Sequence, residues 1–408
     1  MPSRTPSRRR FLALAGTTGV TALAGCLGFG GDDRPEYSRP STEGPPPEPD
    51  RHVFASDGEW SSEGFDAANT RWDYGGSAPR EEPSVRWRRG VGQSGLRAPT
   101  VSDGRVYVTE TDRLMVVDAT SGETEWELAG ETPRGKPSVS DGTVYTVADD
   151  VLQALDAETG EQRWSRSFDG PLTMPATVQG EYLTVGERET VHVVSAEDGS
   201  VNWSRRLVGR VSYPALGAVG ASPFVATGTG GVYSLGAGGE VGVHEDLSAR
   251  FSTPPTLGRD FAYVGDDSGT LYALEPLTGA VEWSADQAAG RHGIAYTDNY
   301  VYSVNGSTLR AFDTESGEEY WSFDVGDGTG SPAAVGDTVY VGGDALYALD
   351  PADGGGTVRF KMDLGGHVTP DISAGDGVLY VPVVLENGAE VVAVEPGPSE
   401  STASSPSE

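Results

Sequence analysis

The chain has 408 residues, with 61 acidic against 29 basic side chains and a formal net charge of −32. Only two of the basic residues are lysines, Lys136 and Lys361. The balance argues against a nucleic-acid partner, which needs a cationic footprint, and fits a halophilic protein whose carboxylates hold water while salt screens their repulsion. The one cysteine, Cys26, excludes an internal disulfide and a cysteine-based metal cluster.

In chain order, the first 26 residues read as an address. Arg8 and Arg9, followed by Phe11 and Leu12, resemble a twin-arginine export signal. A stretch of small apolar residues ends in Leu-Ala-Gly-Cys at 23–26, which resembles a lipobox with Cys26 as the lipidated residue. The stretch is too short and too weakly apolar for a membrane-spanning helix. Residues 27–58 are rich in Pro, Gly and acids and read as a disordered linker. Residues 59–84 ("EWSSEGFDAANTRW" at their start) read as a lead-in that packs on the folded body of the chain, and 397–408 as a disordered tail.

Between them one phrase recurs. "ALDAETGEQRW" (154–164) returns as "VVSAEDGSVNW" (193–203), "ALEPLTGAVEW" (273–283) and "AFDTESGEEYW" (311–321). Its closing aromatic falls at Trp87, Trp126, Trp164, Trp203, Trp283, Trp321 and Phe360, with Val243 in the one empty place. Proline marks an independent series at 99, 137, 175, 214, 254, 332 and 370, with Gly293 in its one empty slot. Both series give eight units of about 39 residues, each reading as four short strands. Proline opens strand A, where a missing N–H is tolerated. An Asp-Gly turn leads to an alternating strand B, and strand C carries the "LYALD" phrase. A Thr-Gly or Ser-Gly turn then leads to strand D with its Trp.

The expected fold is all-β: an eight-bladed β-propeller of four-stranded antiparallel blades over residues 85–396. The first marker is a strand D without its own A to C, and the last unit has A to C without D. The eighth blade is therefore expected to close from both chain ends. The repeat aromatics are expected to dock on the next hairpin turn as structural residues, each stabilising by about 3 kcal/mol. An irregular interface is expected near 234–247, where "SLGAGGEVGV" lacks both the Asp and the Trp.

The pattern A-x-D-x-x-T-G-x-x-x-W resembles the tryptophan-docking motif of quinoprotein-type, BamB-like propellers, and the resemblance covers about residues 60–396. The lead-in, with Asp66, Asn69 and Thr70, is similar to that of acidic haloarchaeal members. Pyrroloquinoline quinone (PQQ) dehydrogenases in this group hold PQQ and Ca²⁺ on the ring axis above a vicinal cysteine disulfide. The resemblance would imply that chemistry, but this chain lacks the cysteine pair and the long inter-blade insertions. No cofactor, no metal and no catalytic residue are expected.

One pattern departs from the acidic whole. The loops from strand D to the next strand A carry Arg97, Arg134, Lys136, Arg210, Arg250, Arg291, His292 and His367 against few acids. They are expected to form a cationic funnel mouth suited to an anionic ligand or an acidic peptide, with pairing to neighbouring carboxylates as the structural alternative. The expected function is a non-enzymatic, lipid-anchored scaffold on the extracytoplasmic membrane face. Its expected partners are the membrane, through the anchor, and unidentified proteins, with no nucleic acid. The alternative is a dehydrogenase dependent on PQQ or another redox cofactor, or an anionic-ligand-binding protein, that uses the axial funnel.

Overall fold

Strands A to D of the first full unit are Thr100–Ser102, Arg105–Thr109, Arg113–Asp118 and Thr124–Ala129, and they pair as one antiparallel sheet in that order. The same order recurs in the next six units, and an eighth sheet completes the ring. This computed structural model describes residues 60–62, 64–92, 97–130, 135–211, 216–218, 222–247, 249–326, 330–352, 356–369 and 371–398. Arg8, Arg9, Cys26, the 27–58 linker, Arg134 and most of the tail lie outside the described residues.

The eighth blade takes strands A to C (Ser373–Gly375, Val378–Leu385 and Gly388–Pro396) from the C-terminal end and strand D, Pro83–Val91, from the N-terminal end. The seam is long: Pro83 pairs with Pro396 and Val91 with Ala389. Such closure removes the open edge of the ring. A second set of bonds closes it at the axis. The hydroxyl that opens strand A donates to a carbonyl of the next blade: Ser373 to Pro99 at 2.5 Å, Thr100 to Pro137 at 2.7 Å, Ser138 to Ala176 at 2.6 Å, and Thr256 to Ile294 at 3.1 Å.

Strand B differs from a half-buried alternating strand. Val106, Tyr107 and Val108 are all buried, as are Leu114 to Val117 on strand C. Both faces of the inner strands meet a neighbouring blade, so both faces are apolar, whereas the outer strand D alternates.

The docking contacts explain the repeated phrase. Asp118 Oδ1 accepts from the Ser121 backbone N–H at 2.7 Å and its hydroxyl at 2.8 Å, which shapes the turn. Gly122 follows with φ 72°, and Trp87 of the preceding strand D lies on it; a Cβ there would sit 2.8 Å from the indole. The same packing joins Trp126 to Gly160, Trp164 to Gly199, Trp203 to Gly239 and Trp283 to Gly317. The indole N–H donates to a carbonyl of the next blade from Trp87 (Ala119), Trp126 (Ala157), Trp164 (Ala196) and Trp283 (Thr314), at 2.9–3.1 Å. Trp203 and Trp321 have no such bond; Trp203 lies on Gly239 and Trp321 on Gly356, in the two units whose sequence departs from the repeat between strands C and D. Between the fourth and fifth blades, Val243 and Glu245 replace the indole against Gly279.

Candidate functional site

The lead-in does not lie on the outside of the ring. Trp60 O accepts from Val101 N, Ser61 O from Val139 N, Ala68 O from Leu257 N, Thr70 O from Tyr296 N and Arg71 O from Ala334 N, all at 2.8–2.9 Å. Those donors sit at one level of strand A in blades 1, 2, 5, 6 and 7. Neighbouring A strands are joined to each other, so they line the axis. The described residues of the lead-in, 60–62 and 64–71, therefore lie around the axis inside the ring. Trp72–Asp73 then pairs parallel with strand A of blade 7 (Ala333–Val335), and Gly336 N donates to Asp73 O. Trp60, Phe65, Ala68 and Arg71 are all buried. Asp66 caps this strap by accepting from the Thr70 amide at 2.9 Å and hydroxyl at 2.8 Å, while burial pushes its carboxyl up to about 7.

Arg71 fixes the strap. Its side chain is 1% exposed, and Nη1 lies 2.8 Å from Asp371 Oδ1. The angle is poor for a directed hydrogen bond, so the contact is ionic. Gly293 N donates to Ser331 Oγ at 2.8 Å, and Ser331 hydrogen-bonds Asp371. Burial would raise the Asp371 pKa; the charges of Arg71 and Lys136 outweigh it, and the net shift is well below the usual carboxylate range. Burial lowers the His292 pKa beside the same pair. Arg71 (φ 53°) and Asp371 (φ 80°) both sit in the left-handed region, which costs about 1–3 kcal/mol each unless the surroundings fix it. Gly293 now has a reason for breaking the proline series: a Cβ there would lie 2.1 Å from Arg71 Nε.

The cations read from the loops thus divide. Lys136 is buried and His292 half-buried, both close to Asp371. Arg97, Arg210, Arg250, Arg291 and His367 are exposed. Arg250 and Arg291 are each 80% exposed and flank Asp267 at 3.8 and 3.9 Å. Arg188, exposed in the turn between strands B and C of blade 3, joins the same face, since its carbonyl accepts from Val211 N. Reading only D-to-A loops misses it. Arg71, Ser331 and Asp371 were missed too; the displaced proline at Gly293 was the one signal for them.

The fold defines a class: a closed eight-bladed propeller with tryptophan-docked blades. The chain belongs to the outer membrane protein assembly factor BamB family, whose profile matches residues 80–207, 187–302 and 305–396. BamB from Moraxella catarrhalis is similar in structure, with a TM-score of 0.63 at 17% identity over 76% of this chain and 99% of that one. Quinohemoprotein alcohol dehydrogenase from Comamonas testosteroni gives 0.68 at 16% identity, over 83% of this chain and 81% of that one. A computationally designed protein, Ika8, gives 0.61 at 17%, over 74% and 98%. At these identities the likeness is one of fold. No curated protein matches in sequence. The lead-in occupies the axial space, and its Arg71 is paired with Asp371.

Proposed function

We propose that the chain is a lipid-anchored scaffold on the extracytoplasmic face of the membrane, exported through its Arg8–Arg9 signal and held at Cys26. Its exposed arginine rim receives an acidic segment of a protein partner. The reading is supported above all by the strap: the chain's own backbone fills the axis, which leaves the outer faces for partners. Arg210, Arg250 and Arg291 stand on the face built from the D-to-A loops and B-to-C turns of consecutive blades, in a protein of net charge −32. A cationic arc on an acidic body orients an acidic partner and speeds its capture. Membership of a family described as an assembly factor is consistent with a partner-binding role.

The test is crosslinking and capture from native membranes at high salt. The triple variant Arg210→Glu, Arg250→Glu, Arg291→Glu is expected to lose most captured partner while keeping its melting temperature within a few degrees, because exposed ion pairs are worth about 0–1 kcal/mol. Undiminished capture by the triple variant would count against the rim.

A further inference from the structure

We propose that the flank of blade 3 facing blade 2 carries a site for hydrolysis of carboxylic esters, with Ser204 as nucleophile, His192 as general base and Glu187 as the residue that positions His192. The site is separate from the rim, and the scaffold reading stands whatever its fate.

His192 lies on strand C of blade 3 (Thr190–Ser195), and Ser204 lies directly opposite it on strand D (Val201–Arg206). Cross-strand partners project to the same face. Val185 pairs with His192 from strand B (Tyr182–Glu187), so Glu187, two residues on, shares that face. His192 Nδ1 lies 2.7 Å from Ser204 Oγ, and its Nε2 lies 3.1 Å from Glu187 Oε2. An ionised carboxylate only accepts, so the ring proton belongs on Nε2 and is donated to Glu187. Nδ1 then carries the lone pair, and the Ser204 hydroxyl donates to it. The carboxylate thus sets the tautomer that lets the imidazole take a proton from serine.

The surroundings suit the task. Burial lowers the His192 pKa, against the opposing effect of the Glu187 bond, so the ring is neutral at pH 7. Phe168 of blade 2 packs on the imidazole with centroids 4.9 Å apart and puts an apolar ring beside it. Ser204 is exposed. Arg166, which acts on His192 through its charge, adds positive potential to the surroundings of the pair. An exposed serine beside one aromatic ring suits short-chain acyl esters.

The step balances without redox chemistry. Ser204 Oγ bonds to the acyl carbon while its proton passes to His192 Nδ1. The carbon–alkoxy bond breaks, and the alkoxide leaves with that proton. Water, giving a proton to His192, then attacks the acyl-serine; the acid departs and the proton returns to Ser204 Oγ.

The full-length protein would be treated with a fluorophosphonate probe, mapped by mass spectrometry, and assayed with p-nitrophenyl acetate. An adduct on Ser204 is expected, with p-nitrophenol release that Ser204→Ala abolishes and His192→Gln lowers roughly 10²–10⁴-fold. The rate should rise with pH as His192 loses its proton, with a midpoint below the ordinary histidine value; Glu187, Arg166 and Asp169 are the charged groups acting on it. Glu187→Gln should lower kcat and move that midpoint while leaving Ser204 in place, which a purely structural Glu187 would not do. An unlabelled Ser204 in the folded wild-type chain, or hydrolysis by Ser204→Ala at the wild-type rate, would overturn the proposal. The labelling is read on the wild-type chain and does not depend on any variant folding.

Discussion

Asp371→Asn is expected to lower the unfolding free energy by about 3–5 kcal/mol, because it strands the Arg71 guanidinium as an unpaired buried charge. Arg71 is 1% exposed and touches Asp371 at 2.8 Å, so water cannot replace the lost partner. The pair ties the strap to blade 8, and Ser331 ties the same carboxylate to blade 7. Replacing both members, Arg71→Met with Asp371→Leu, should cost less than either single change, since no charge is then left buried. The effect also has a pH signature. The folded Asp371 pKa lies below its unfolded value of 3.8, so the native state releases its proton more readily than the unfolded chain. Its stabilisation is fully present above pH 4 and fades as the pH falls through the folded value. The gap between wild type and variant should therefore narrow on acidification, read by denaturant titration at several pH values.

Trp283→Ala is expected to cost about 3–5 kcal/mol. The indole is 8% exposed, lies on Gly317 and donates to Thr314 O at 3.1 Å, so truncation opens a cavity between blades 5 and 6 and leaves that carbonyl only the longer bond from the Tyr263 hydroxyl, at 3.4 Å. Val243→Ala, at the equivalent place between blades 4 and 5, should cost much less, because Val243 is only half-buried. That junction leans on other groups: Phe251 meets Tyr272 edge-on at 6.4 Å, and the strap's Ala68 packs in the same cluster. Asn69 adds a bond from Nδ2 to Pro255 O at 3.1 Å. Equal losses from the two changes would contradict this account of the seam.

These contrasts show why some features could be read from residues and others could not. The blades were legible because the Asp, Gly and Trp of each hairpin act locally or on the next unit, and both kinds of contact recur with the period. The pairing of Pro83–Val91 with Gly388–Pro396 was legible because the units at the two ends are complementary fragments. The strap was not: it contains no repeat of its own, and its backbone carbonyls meet partners as far away as Gly336 without any side-chain signature. Lys136 looked like a mouth cation because its loop position was visible, while its neighbours Arg71 and Asp371 come from opposite ends of the chain. Ser204 and His192 lie 12 residues apart in no known motif, and only the antiparallel register brings them together.

The axial strap is the claim on which the rest turns, and amide hydrogen exchange tests it at single residues. Val101, Val139, Leu257, Tyr296 and Ala334 donate their amides to carbonyls of residues 60–71. In the full chain these five should exchange slowly, and in a chain beginning at residue 77 they should exchange much faster while strand B and C amides stay protected. Fast exchange at these amides in the full chain, or unchanged protection after the truncation, would mean that the lead-in does not run through the centre of the ring.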